Sequence, residues 1–168
     1  MAFQIPVTIR DVLAEVHAGK YLLPAIQREF VWKPPQIEAL FDSILRGYPI
    51  GSFLFWQVDR EHRSKYQFYE FIRKYHERDR RHNPKADVSG TEGLTAILDG
   101  QQRLTALYIG LHGSHSAKAW GKWWSSDDAF PEKRLHLNLS EPATDWDGGF
   151  LFKFLTDAEV AKRIGTAH

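Results

Sequence analysis

An α+β fold is expected from this sequence, on three observations. Segments with helical and strand periodicity interleave without the regular alternation of a doubly wound sheet, and a pair of apolar strands near the end can form a hairpin. In addition, 43% of the 168 residues are hydrophobic, enough for one substantial core. A single domain over 1–168 is expected, with residues 114–168 as an extension whose structure the sequence defines less well.

Each element has a local reason. Thr8 caps a short helix over Ile9–His17 with Val12, Leu13 and Val16 on one face, and Gly19 terminates it. Tyr21-Leu22-Leu23-Pro24 reads as extended. Pro34 and Pro35 suit a first helical turn, after which Ile37, Leu40, Phe41, Ile44 and Leu45 recur at helical spacing until Gly47. The aromatic run at 52–58 predicts a largely buried, central strand.

Residues 60–85 change character: nine Lys or Arg against four acids leave +5, so the remainder carries −4. Phe68, Phe71, Ile72 and Tyr75 lie at helical spacing, which predicts a basic amphipathic helix, and a loop at 83–93 completes an insertion over about 60–93. Thr95-Ala96-Ile97-Leu98 is a second short strand, Asp99-Gly100 a tight turn, and 101–111 a helix with Leu104, Leu107, Tyr108 and Leu111 inward. Beyond it, Trp120, Trp123 and Trp124 are read as packing, followed by strands at 134–139 and 150–155. New structure beginning near the C-terminus suggests a piece of a longer polypeptide.

Composition excludes several chemistries. Cysteine is absent, which removes disulfides, thiolate zinc sites and cysteine nucleophiles. Whole-chain charge is only +1, so an electrostatic partner must be met by a local patch. No run approaches the roughly 20 apolar residues of a membrane span, and a cytoplasmic protein is expected. The histidines form no metal-binding spacing, and neither a serine elbow nor a Walker-type loop occurs.

The strongest chemical feature is Ile97-Leu98-Asp99-Gly100-Gln101-Gln102-Arg103, where a strand ends and a helix starts. Such a start offers unpaired N–H groups and a partial positive charge, the setting in which phosphate binds. Gly100 would let a ligand approach the backbone, Gln101 and Gln102 would present amides, and Arg103 would present a guanidinium suited to two phosphate oxygens. Asp99 would suit Mg²⁺, which takes one or two carboxylates together with phosphate oxygens. The same residues also fit an ordinary capping turn, because Asp-Gly is common there. A second constellation, Gln27-Arg28-Glu29-Phe30-Val31-Trp32, offers Arg28 as a further phosphate contact or as a surface arginine beside a core tryptophan. The basic insertion reads either as a DNA or RNA contact or as a solvated face with i, i+4 pairs.

Three ordered motifs carry a resemblance. Gln27-Arg28-x-x-Val31-Trp32, Leu40-x-Asp42-Ser43-Ile44-Leu45-Arg46-Gly47-x-Pro49-Ile50-Gly51 and Leu98-Asp99-Gly100-Gln101-Gln102-Arg103-Leu104-Thr105 closely resemble the N-terminal domain of GmrSD-type modification-dependent restriction enzymes. The match covers roughly 8–112. The family is similar to the ParB/sulfiredoxin fold, a small mixed sheet with flanking helices. The resemblance implies nucleoside triphosphate binding and Mg²⁺-dependent hydrolysis that controls DNA restriction in anti-phage defence. Asp99, Gln101, Gln102 and Arg103 would be catalytic, Gln27, Arg28, Gly100 and Arg103 would bind nucleotide, and Asp99 would bind metal. Implied partners are DNA, an HNH-type nuclease domain or subunit outside this chain, and a second copy in a homodimer. Two other readings stay open: a nucleotide switch without hydrolysis, and a reader of modified DNA.

Overall fold

The computed structural model describes residues 6–26, 29–90, 93–140 and 149–165, and its architecture is α+β as expected. In chain order the elements are α1 (Ile9–His17), β1 (Tyr21–Pro24), α2 (Pro34–Leu45), β2 (Leu54–Gln57), α3 (Arg60–Arg63), β3 (Phe68–Tyr69) and β4 (Lys74–His76). There follow β5 (Thr95–Asp99), α4 (Gln101–His112), β6 (Ser114–Ser116), a 3-10 turn (Asp127–Ala129), β7 (Arg134–Leu137), β8 (Phe152–Leu155) and α5 (Asp157–Gly165).

A mixed four-stranded sheet runs β2-β5-β1-β3. Its inner pair, β1 and β5, is parallel, and β2 and β3 flank it antiparallel. Of β5, Thr95, Ala96 and Ile97 are buried, whereas Asp99 emerges at its end. Two ribbons complete the strands, a parallel pair of β4 with β6 and an antiparallel pair of β7 with β8.

Helices α1, α2 and α4 form where the sequence placed them, for identifiable reasons. The Thr8 hydroxyl accepts the Asp11 N–H and thereby caps α1, whose Leu13 and Val16 are buried. In α2, Pro34 and Pro35 occupy the first turn, where no intrahelical donor is needed, and Ile37, Leu40 and Phe41 face the core. Helix α4 is the most enclosed: Leu104, Ala106, Leu107 and Ile109 are buried within the main cluster. Each such Leu or Ile contributes about 1.5–3 kcal/mol by leaving water.

Four expectations are corrected. The basic segment is not a long helix: after the single turn α3 it runs as β3 and β4. There Phe68 pairs with Pro24 of β1, and Lys74–His76 pair with Ser114–Ser116. Phe68 then packs in a second small cluster with Leu22, Val58, Leu94 and Ala96, while Phe71 and Ile72 join the main one. Strand β2 lies at the sheet's edge, not its centre. Leu111 is exposed instead of inward, and so is Leu45. Of the tryptophans at 120–124 only Trp124 packs, edge-on against Phe130 at 5.2 Å, whereas Trp120 is fully exposed and Trp123 nearly so. Among the described residues no helix is long and apolar enough to cross a membrane.

Candidate functional site

The β5–α4 turn forms because Gly100 takes a left-handed backbone at φ 86° immediately before the helix. An L side chain is disfavoured there, and the space a Cβ would fill is already held by the Phe53 ring. Gly100 therefore admits Phe53, whereas the sequence assigned this close approach to a ligand.

Helix α4 starts without a side-chain cap on its glycine. Its first ladder bond runs from the Leu104 N–H to the Gly100 carbonyl at 2.9 Å. The N–H groups of residues 101–103 thus precede the ladder at the positive end of a twelve-residue helix.

Three consecutive side chains anchor this turn to different parts of the chain. Gln101 is buried, and its amide donates back to the Ile97 carbonyl. Gln102 accepts the Val31 N–H at 3.0 Å through Oε1 and donates through Nε2 to the Glu29 carbonyl at 2.9 Å. Its amide therefore pairs with the 29–31 backbone as a strand neighbour would. Arg103 donates to the Ile50 carbonyl through Nη1 and to the Ser52 carbonyl at 2.7 Å through Nη2. Its guanidinium lies over Phe53, 4.8 Å from the ring centroid. Gly51 is required beside it, since its left-handed φ of 85° and the approach of Arg103 Nη1 both exclude a side chain.

The described parts of the three motifs thereby meet at one place, and the polar ends of Gln101, Gln102 and Arg103 are directed to backbone partners. Asp99 differs: its side chain is 70% exposed, with Arg103 Nη2 at 3.7 Å as a neighbour. Gln27 and Arg28 lie outside the described residues. The Gln102 grip begins one residue after Arg28 and so fixes where that loop ends.

Glu29 carries the connection outward. Burial acts against ionisation, but His82 and Arg81 hold its carboxyl below the usual range, with Arg81 Nη2 at 3.3 Å. Strand pairing, helix spacing and composition gave no sign of this contact between the first motif and the basic segment.

A magnesium ion is compatible with this turn if it arrives with phosphate. Among the described residues no group of three His, Asp or Glu side chains could cage an ion. One exposed carboxylate beside a helix start is nevertheless a donor set that magnesium accepts when phosphate oxygens complete it.

Over 102 residues the chain is 34% identical to a protein of Methanocaldococcus jannaschii described as uncharacterized. That stretch is 61% of this chain and 16% of the relative, so the chain spans a small part of that protein's length. The model of the family described as "GmrSD restriction endonuclease, N-terminal domain" matches residues 9–164. With nearly the whole chain covered, the protein belongs to the family of GmrSD restriction endonuclease N-terminal domains.

Proposed function

We propose that the β5–α4 turn binds a nucleoside triphosphate with Mg²⁺ and hydrolyses it, regulating DNA restriction in anti-phage defence by a longer protein. The observation that carries this reading is the glycine-capped start of α4, with Asp99 exposed directly ahead of it. The N–H groups of residues 101–103 would hold the phosphates, which the helix dipole favours by about 0.3–1 kcal/mol.

Within this reading the motif residues divide their work. Asp99 would orient the ion or the attacking water, because hydrolysis of this kind depends more on position and electrostatics than on a strong base. When bound, Mg²⁺ would neutralise charge developing on the phosphates. Gln101, Gln102 and Arg103 would act as positioning residues that fix the turn, the 29–31 loop and the 50–52 loop. Arg28 would contribute a second cation and Gln27 an amide from the loop that Gln102 secures.

Calorimetric titration with each of the four ribonucleoside triphosphates tests this, with and without Mg²⁺, beside a phosphate-release assay. Binding that depends on Mg²⁺, and whose metal dependence disappears in Asp99→Ala, is the expected result. Equal metal dependence in the parent and the variant would remove Asp99 from the site. Binding without release in the intact protein would favour a switch over an enzyme. The implied nuclease partner and homodimer belong to this same proposal.

A further inference from the structure

At the opposite end of α4 from the turn lies a cleft of about 470 Å³ walled by the helix C-terminus, β4 and β7. Arg73, Lys74, His112 and Arg134 line it, together with one acid, Glu132. Glu132 lies 4.0 Å from Lys74 and 3.9 Å from Arg134, so two cations share one carboxylate at long range. Arg73 donates to the His112 carbonyl at 2.6 Å, a neutral acceptor, and among the described residues no carboxylate forms an ion pair with it. The cleft is therefore about two charges positive with His112 neutral, in a chain whose total is +1.

Two other arginines of the basic segment are neutralised by carboxylates. Arg78 is held by Asp79 and Asp127, and Arg81 by Glu29. Arg134 comes from β7, far along the chain, and β7 brings it beside β4. The cations are also accessible: the Lys74 and Arg134 side chains are more than half exposed.

The geometry points to the phosphodiester backbone of duplex DNA as the occupant of this cleft, bound by Lys74, Arg134 and Arg73. A row of partly unpaired cations around one opening releases counterions from DNA when it binds. Contacts of this kind to phosphate position DNA without reading its sequence. The inference rests on the proposed role in DNA restriction but not on the nucleotide site, which lies about 16 Å away along α4.

Fluorescence anisotropy of the full chain with a labelled duplex, read across a salt series, tests the assignment. The Lys74→Glu/Arg134→Glu double variant should bind at least about tenfold more weakly, and its salt slope should fall by about two. Arg10→Glu, a charge reversal at a fully solvated position of α1, should match the parent. Glu132→Gln should tighten binding at low salt, a gain that misfolding cannot mimic. Triphosphate affinity should be unchanged in all of these variants, so loss of nucleotide binding with DNA binding intact would overturn only the nucleotide reading. The cleft assignment is overturned if the parent binds no duplex or if the double variant binds like Arg10→Glu. It is also overturned if free triphosphate proves to be the ligand that these substitutions weaken.

Discussion

Arg103 and Phe53 form one stacked unit: the guanidinium lies 4.8 Å from the ring centroid, and the same ring covers the Cα of Gly100. Arg103 thus reaches Gly100 through the side chain that directly precedes the edge strand β2. What looks in sequence like a phosphate grip is, in the fold, the device that shapes the turn.

Replacing Gly100 with alanine should destabilise the protein by about 2 kcal/mol or more, because a left-handed non-glycine residue alone costs about 1–2 kcal/mol. Displacement of Phe53 adds to this. Urea unfolding of the variant against the parent measures it, and an unchanged midpoint would contradict the packing described.

Arg103→Lys separates the two roles of the guanidinium. A lysine keeps the charge but cannot fork onto Ile50 and Ser52, so stability should fall by about 2 kcal/mol. A phosphate-gripping Arg103 would instead tolerate lysine in stability and lose affinity alone. Thermal unfolding and triphosphate titration of the same sample distinguish these outcomes.

Gln102→Ala removes both bonds to the 29–31 backbone and should cost about 1–2 kcal/mol. Limited proteolysis should then cut near residues 27–31 faster than in the parent. If cleavage there is unaltered, the grip on Glu29 and Val31 does not organise that loop.

His115 predicts a pH dependence. It is buried against Tyr75 and Phe154, and desolvation pushes its pKa down to about 4 from 6.5. The unfolded chain binds a proton near 6.5 that the native state refuses until about 4, so this contribution is complete above 6.5 and declines as pH falls through that window. The loss is on the order of 3 kcal/mol. His115→Phe should flatten the stability profile between these pH values, and an identical profile would contradict a neutral buried imidazole.

The legible parts of this chain were those in which local chemistry agrees with tertiary packing. Thr8, Pro34 and Gly100 mark element boundaries because caps and turns act within a few residues. The segment at 68–75 misled because the apolar residues fit helical spacing, yet Phe68 belongs to one cluster and Phe71 with Ile72 to another. Its partners, Pro24 and Ser114–Ser116, are distant in sequence and cannot be read from periodicity. For the same reason the 52–58 run announced a strand without revealing that β2 has β5 as its neighbour and forms the edge. The motif residues were recognisable by type and order. Their orientations were not, since the acceptors at Glu29, Ile50 and Ser52 lie 51 to 73 residues away.

The central claim, that a triphosphate sits on the start of α4, is tested most directly by backbone amide NMR during titration with triphosphate and Mg²⁺. With triphosphate bound there, the amide signals of Gly100, Gln101, Gln102 and Arg103 move most, and Asp99→Ala reduces the shifts. Saturable binding whose largest shifts fall elsewhere, or no shifts at all in the folded protein, would contradict it.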